Sequence, residues 1–178
     1  MLIKILAALS ALVLILVVVV ATRPATFRIE RSLSIAAPAE TIFNQLNDFH
    51  AWAAWSPWDK LDPKMERIYS GAPVGEGAIY AWKSKDSKVG EGRMTLEKST
   101  VPSHLQITVE FIAPFAATNQ ITFTLTPDTG GTRVTWAMDG NNGFMSKAFS
   151  MVVNMDKLVG GDFERGLATL KQVAESRS

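Results

Sequence analysis

The sequence predicts an α+β domain in which a curved antiparallel sheet of about seven strands wraps around a long C-terminal helix, preceded by an apolar N-terminal helix. Three observations predict this class. Apolar and polar residues alternate along short segments between residues 26 and 139, as they do in half-buried strands. Apolar residues recur every three or four positions between residues 146 and 175, as in an amphipathic helix. Residues 5–22 carry no charge.

The uncharged N-terminal segment is long enough to cross a membrane. At about 1.5 Å per residue, this run reaches roughly 27 Å, which is close to the hydrocarbon thickness of a bilayer. Arg23 ends the apolar run and Pro24 ends the helix. We therefore expect residues 1–23 to form a retained transmembrane anchor that contacts the membrane through residues 2–22.

A cleaved signal peptide is the alternative for the same segment. Lys4 supplies a positive start and a small-residue motif ends at Ala21, although the apolar run exceeds the usual length of about 7–15 residues. The basic residues give opposing indications of orientation, since Lys4 favours an inside N-terminus and Arg23, Arg28 and Arg31 favour an inside domain. The short N-terminus favours a single-pass membrane protein whose domain lies on the outer, periplasmic or extracellular, face.

Residues 24–178 are predicted to form the folded domain. Its first strand covers residues 26–35, and two short helices follow, the first opened by Pro38 and the second ending near Trp55. Turn residues such as Pro, Gly and Asp then separate six more segments. These strands are predicted over residues 65–70, 78–83, 89–99, 104–111, 119–126 and 132–139. Such short connections favour an antiparallel meander.

The last predicted element is a helix over residues 146–175, interrupted at Gly160-Gly161. Two adjacent glycines cost roughly 1–2 kcal/mol in a helix interior, so they indicate a kink, a close approach to the sheet, or room for a ligand. No other element is long enough to cover the apolar face of the sheet. A bent sheet that grips one helix encloses space, and we expect a cavity between the two.

Composition excludes several classes of site. The net charge is +1 and no basic run is present, so we expect no nucleic-acid partner. Without cysteine the chain has no disulfide, thiolate nucleophile or Cys-ligated metal, and its two histidines are far apart. The glycine-rich repeats at residues 74–77 and 89–92 precede strands, which indicates bends in a curved sheet, since a phosphate-binding loop would precede a helix. The oligomeric state stays open.

Five segments carry a resemblance to a known family. They are IAAPAETIF at residues 35–43, WAAWSPW at 52–58, GEGAIYAW at 75–82, GEGRM at 90–94 and GDFERGL at 161–167. Together they resemble the START-like superfamily, often called SRPBCC, and its polyketide cyclase/dehydrase-like branch, over residues 26–175. The resemblance implies the helix-grip fold, with a deep cavity between the sheet and the long helix.

The resemblance is specific for the fold and carries little about activity. The superfamily includes lipid carriers, plant hormone binders, aromatase/cyclases, chaperone activators and toxin-like proteins, and these share the cavity but not a chemistry. The inward face of the predicted sheet is nearly all apolar, whereas acid–base catalysis needs titratable groups in the pocket. We therefore predict no catalytic residue, no metal site and no cofactor.

The predicted ligand cavity takes residues from the strands, the second short helix and the last helix. Its lining is Arg31, Trp52, Trp55, Tyr80, Trp82, Phe111, Phe123, Trp136, Met138, Met155 and Phe163.

Some of these residues have a second interpretation. Trp52, Trp55 and the neighbouring Trp58 suit either a ligand gate or ordinary core packing. Arg31 lies on the apolar face of its strand, where it could bind a ligand anion or pair with a local acid. Asp48 and His50 form a local pair whose simpler role is helix capping.

Three functions follow from these expectations. The first is membrane-anchored binding of a hydrophobic small molecule or lipid. The second is a polyketide cyclase/dehydrase-like enzyme acting on an aromatic or polyketide substrate, which requires polar groups to converge around Arg31, Tyr80 or His50. The third is a protein-interaction or chaperone-regulating module, which requires a filled interior and an exposed apolar patch of several hundred Å².

Overall fold

A computed structural model describes residues 1–86, 89–151 and 153–177. The chain begins with helix α1 (Leu2–Ala21), strand β1 (Thr26–Ile35), helix α2 (Ala39–Asn47) and the 3₁₀ helix η1 (Phe49–Ala54). Six strands follow: β2 (Glu66–Gly71), β3 (Ala78–Lys83), β4 (Glu91–Thr100), β5 (His104–Ala113), β6 (Ala117–Asp128) and β7 (Gly131–Asn141). Helices α3 (Phe144–Phe149) and α4 (Met155–Glu175) end the chain. The predicted helix-grip architecture is confirmed.

The seven strands form one antiparallel sheet in the order β1-β7-β6-β5-β4-β3-β2. Strands β2 to β7 follow one another as a meander, and β1 pairs with the last of them over its whole length, from Thr26 opposite Asn141 to Ile35 opposite Thr132. Because neighbouring strands run in opposite directions, the turns that connect them lie alternately at two ends of the sheet. We call the end at which β1 starts and β7 ends the entry end, because α1 leads into it.

Bends in β4 and glycine turns curve the sheet. The register between β4 and β5 shifts between Glu91 and Gly92 and again between Leu96 and Lys98, and such irregularities bend a strand. Gly92 leaves no room for a side chain, because an added Cβ would meet the Trp82 ring and the backbone oxygen of Glu110. The glycine-rich repeats therefore lie at turns and bends, as predicted.

The C-terminal segment differs from the prediction of one helix over residues 146–175. It contains two helices, and the break lies after Phe149, whereas Gly160 and Gly161 lie inside α4 without interrupting it. The Asn154 side chain caps α4 by accepting a hydrogen bond from the backbone N–H of Lys157 at 2.9 Å. This cap explains why α4 starts at Met155. Val152, which the prediction counted in the apolar stripe, lies outside the described residues.

Helix α1 is long and apolar enough to cross a membrane, a property that an N-terminal signal sequence shares. Its side chains are largely exposed, but Val20 is only 2% exposed and the helix contacts α3. The Lys147 Nζ on α3 donates to the Ala21 carbonyl at 3.4 Å. The end of α1 therefore lies against the entry end of the domain.

Candidate functional site in the grip between helix and sheet

The concave face of the sheet carries its apolar residues in rows that cross the strands. Arg31 on β1 lies opposite Trp136 on β7, which lies opposite Phe123 on β6, which lies opposite Leu105 on β5. Because successive residues of a strand point to opposite faces, this register sets four side chains side by side on the face that meets α4. The sheet thus delivers one cation and three apolar groups to the same row.

Five of the predicted lining residues form one aromatic cluster, which we call the aromatic cluster below: Trp52, Trp55, Phe123, Trp136 and Phe163. All are at most 2% exposed. The Trp136 ring stacks on Phe163 of α4 at 4.1 Å and 9°, and its centroid lies 4.9 Å from that of Phe123. Trp52 and Trp55, whose centroids are 4.8 Å apart, enter from η1 and the residue after it.

The aromatic cluster fills the space where the sequence predicted a cavity. Gly166 of α4 makes the close approach possible, since an added Cβ would lie 2.8 Å from the Trp136 ring. Indole nitrogens of two tryptophans are satisfied locally, Trp52 by the Leu46 carbonyl at 3.0 Å and Trp55 by the Gln45 carbonyl at 3.1 Å. In the described part of the chain, side chains therefore occupy the interior of the grip beneath α4.

A second group of predicted lining residues lies toward the other edge of the sheet. Tyr80 and Trp82 of β3 have ring centroids 5.9 Å apart, and Trp82 lies 6.1 Å from Phe111 of β5. Phe49 of η1 joins this group to the aromatic cluster, since it lies 6.1 Å from Tyr80 and 5.4 Å from Trp52. The structure thus brings eight predicted residues into one continuous aromatic interior.

The two predicted methionines differ in burial. Met138 is in the core, 6% exposed, and its sulfur accepts from the Asn119 side-chain amide at 3.7 Å. Met155 is the first residue of α4 and is 36% exposed. Met155 therefore lies at the entry end, outside the packed interior.

Arg31 makes ion pairs with α4. Its Nη2 lies 3.0 Å from the Asp156 carboxylate and its Nε lies 2.7 Å from that of Glu164. The hydrogen bond from Arg31 holds the pKa of Asp156 below its usual value. Gly160 lies directly against the guanidinium, so that an added Cβ would collide with it. The arginine thus pairs with local acids and fastens the first turns of the helix to β1.

Two polar groups of the predicted lining are buried, namely the Tyr80 hydroxyl and the Trp136 indole nitrogen. Among the described residues the indole N–H meets no acceptor, while the Tyr80 hydroxyl lies beside the Arg67 guanidinium. Burial raises the pKa of Tyr80, so the hydroxyl keeps its proton. A guanidinium has only donors, so it leaves the proton of the hydroxyl without an acceptor. Buried donors without an acceptor are uncommon and cost free energy.

Sequence reasoning missed a buried ion pair beside Tyr80. Asp59 has a side chain only 7% exposed, and its carboxylate accepts from Arg67 of β2 at 2.7 Å. Asp59 lies between η1 and β2, in a segment without regular periodicity. Only its placement after the tryptophan-rich segment could have drawn attention to it.

His50 and Asp48 do meet, at the edge of the domain. The Asp48 carboxylate accepts from the His50 backbone N–H at 2.8 Å, which is the predicted capping role, and also lies 3.0 Å from the His50 Nδ1. The imidazole stacks on Tyr69 at 4.0 Å, and Tyr69 stacks on Tyr80 at 5.2 Å. A hollow of about 230 Å³ between η1 and the β2–β3 hairpin is lined in part by His50 and Tyr69.

A larger hollow lies at the end of the sheet opposite the entry end. It has a volume of about 610 Å³ and is formed by the start of α2 and by the β4–β5 and β6–β7 turns. None of the predicted lining residues contributes to it. Within the described ranges, no group of three or more His, Asp or Glu side chains could hold a metal ion.

Comparison with solved structures supports the fold. Protein CV1439 from Chromobacterium violaceum superposes with a TM-score of 0.58 at 17% identity, over 85% of this chain and 99% of that one. A protein from Mesorhizobium loti gives a TM-score of 0.57 at 19% identity, over 86% and 98% of the two chains. The di-domain ARO/CYC StfQ of the steffimycin biosynthetic pathway gives 0.61 at 10% identity, over 86% of this chain and 52% of that one.

At these identities the structural likeness shows the fold alone. No curated protein matches the sequence. The family model described as polyketide cyclase / dehydrase and lipid transport matches residues 26–175, which include every strand, α2, η1, α3 and α4. The chain therefore belongs to the polyketide cyclase / dehydrase and lipid transport family.

Proposed function

We propose that this protein binds a hydrophobic small molecule or lipid between α4 and the sheet, while α1 holds it at a membrane. The observation that carries the proposal is the chemistry of the interior. Its predicted lining is aromatic and apolar except for Arg31 and two buried donors, the Tyr80 hydroxyl beside Arg67 and the Trp136 indole N–H. Such a surface suits a largely apolar molecule with one or two oxygen acceptors.

Binding requires the interior to rearrange, because aromatic rings fill it. The edges of the aromatic cluster are less buried than its centre. Trp58 is only half-buried at the edge of the aromatic cluster, where its ring meets Trp136 at 5.8 Å and Phe163 at 6.3 Å. The first turn of α4 exposes Met155 and Leu158 and is held by Arg31. Movement of Trp58 and this turn would admit a ligand to Trp136 without separating the buried half of α4 from the sheet.

Ligand binding is tested on the full chain purified in detergent. We expect an apolar molecule to be released on solvent extraction, and oleate carrying bromine atoms to quench the buried tryptophans saturably. Recovery of no apolar molecule, together with quenching that rises linearly and never saturates, would overturn the proposal.

Tyr80→Phe provides the sharper variant. Removing the hydroxyl should lower oleate affinity roughly 2–10-fold, since the ligand loses one hydrogen bond. Tyr69→Phe is the matched control, because its ring stacks on Tyr80 but it is only half-buried. Equal affinity of wild type and Tyr80→Phe would exclude this hydroxyl from ligand binding.

The anchor and its orientation form a separate part of the proposal. We expect the chain isolated from cells to retain residues 1–23, to resist alkaline extraction from membranes, and to expose its domain on the outer face. Mass spectrometry of the mature N-terminus and proteolysis of intact cells or spheroplasts check these points. A mature chain that starts after Ala21 would show that the N-terminal segment is cleaved, and that the protein is a secreted binder without an anchor.

A second candidate is a cyclase or dehydrase-like reaction at the edge of the interior. The observation that favours it is the stack of His50, Tyr69 and Tyr80, with Asp48 orienting the imidazole beside the 230 Å³ hollow. Loss of water from the recovered ligand during incubation, abolished by His50→Ala, would support it. An unchanged ligand mass after prolonged incubation would exclude this reaction, and ligand binding would then be the only proposed function.

A further inference from the structure

The exposed apolar side chains are unevenly distributed over the domain. Among the described residues of the domain, six of the larger ones lie at the end of β5, in the β5–β6 turn, in α3 and in the first turn of α4: Ile112, Phe115, Phe144, Phe149, Met155 and Leu158. Leu61 and Ile68 are exposed elsewhere, before and within β2. Phe115 is 81% exposed and Leu158 is 57% exposed. At the opposite end the described turns expose Val74 and Val101. The entry end is therefore the apolar end.

The position of α1 brings this apolar end close to whatever surrounds α1. Only residues 22–25 separate α1 from β1, and a fully extended connection of that size reaches at most roughly 17 Å. The connection is shorter still, because α1 contacts α3 and Lys147 reaches the Ala21 carbonyl at 3.4 Å. If α1 spans a bilayer, the surface of that bilayer therefore lies next to α3.

We infer that the entry end is a membrane-docking surface, in which α3, the β5–β6 turn and the first turn of α4 insert their apolar side chains into the lipid interface. This inference rests on the proposed anchoring of α1. Shallow insertion of aromatic and aliphatic side chains, to a depth of roughly 5–10 Å, is the usual mode of an interfacial apolar surface. Since Met155 and Leu158 lie on the first turn of α4, the docked domain places that end of the helix against the lipid.

The absence of cysteine from the chain allows a direct test with single nitroxide labels. The variants Phe115→Cys and Leu158→Cys report on the entry end, and Val101→Cys, 68% exposed at the opposite end, is the matched control. Leu12→Cys, on the exposed surface of α1, reports on the anchor itself. The full-length protein is reconstituted in vesicles of phosphatidylcholine and phosphatidylglycerol, and collision with oxygen and with a water-soluble nickel complex is measured for each label.

We expect the labels at Phe115 and Leu158 to collide with nickel several-fold less than the label at Val101, and with oxygen several-fold more. Equal nickel collision at all three positions, with the Leu12 label in lipid, would overturn the docking surface and leave the anchor intact. A Leu12 label in water would instead overturn the anchor.

Two other outcomes would also contradict the inference. Labels at Phe115 and Leu158 that are shielded from both nickel and oxygen would show that protein, such as a second copy, covers the surface. A Val101 label in lipid would show that the domain lies on the membrane through another face.

Discussion

The first turn of α4 and the rest of the helix are held to the domain by different forces. From Phe163 onward the helix buries Phe163, Leu167 and Leu170 to 1% exposure or less, and we call this stretch the packed part. The first turn exposes Met155 and Leu158 and is fastened through the ion pair of Arg31 with Asp156, while Arg31 also pairs with Glu164 at the start of the packed part. Apolar burial is far stronger than ion pairs of which one partner is exposed. The packed part is thus firmly held, and the first turn, at the entry end, is weakly held.

The largest effect should come from removing a side chain from the packed part of α4. Phe163→Ala removes the ring stacked on Trp136 and should lower the free energy of unfolding by about 3–5 kcal/mol, as large-to-small changes in cores do. Leu158→Ala, on the same helix but exposed, should change it by less than about 0.5 kcal/mol. Urea denaturation followed by far-UV circular dichroism measures both. Similar losses of unfolding free energy in the two variants would show that the first turn of α4 is packed as firmly as the rest of the helix.

A smaller effect should separate the two adjacent glycines. Gly161→Ala meets nothing closer than Arg165 at 3.7 Å and should stabilise α4 by up to about 1 kcal/mol, because alanine is the better helix former. Gly160→Ala gains the same propensity but displaces the Arg31 guanidinium from its two acids, so we expect it to stabilise α4 less than Gly161→Ala does. Thermal unfolding of both variants compares them. Equal stabilisation by both substitutions would show that Arg31 moves away without cost.

The smallest predicted effect is on the stability of the fold at acidic pH. Arg31 lowers the pKa of Asp156 in the folded state, so this carboxylate stabilises the fold at pH values above its unfolded pKa of about 3.9. That contribution is lost as the pH falls through the lower, folded pKa. We expect Asp156→Asn to reduce the pH dependence of stability between about pH 5 and 2, and to raise amide hydrogen exchange in the first turns of α4 at neutral pH. Unaltered exchange there would show that Glu164 alone suffices to hold Arg31.

Much of the fold could be predicted from periodicity. All seven strands were expected near their observed positions, because each buries one face and alternation of two residues reports that burial directly. The exact helix break was not predictable from the apolar pattern, which continues across it. The cap at Asn154 marks the break, and its strength depends on a hydrogen bond to the backbone of Lys157 that the pattern does not encode.

The sequence could predict which residues form the candidate site, but it could not predict how they pack against one another. Alternation placed Trp136 and Phe123 on the inner face, and the structure packs them together. Whether the space between them and α4 stays open depends on how closely the helix approaches, which Gly166 and the rings of Trp55 and Phe163 decide together. These residues come from distant parts of the chain, so no local pattern relates them.

The membrane-length helix, the antiparallel meander, the apolar inner face and the family could all be inferred from the chain alone, because each depends on local periodicity, composition or short motifs. The filling of the grip by aromatic rings, the fastening of α4 by Arg31 and the gathering of exposed apolar side chains beside α1 became visible only in the folded protein. The physical reason is that the packing and exposure of a side chain depend on contact between two elements of the fold. The chain specifies each surface locally, but their distance and contact arise only when the sheet closes on its helix.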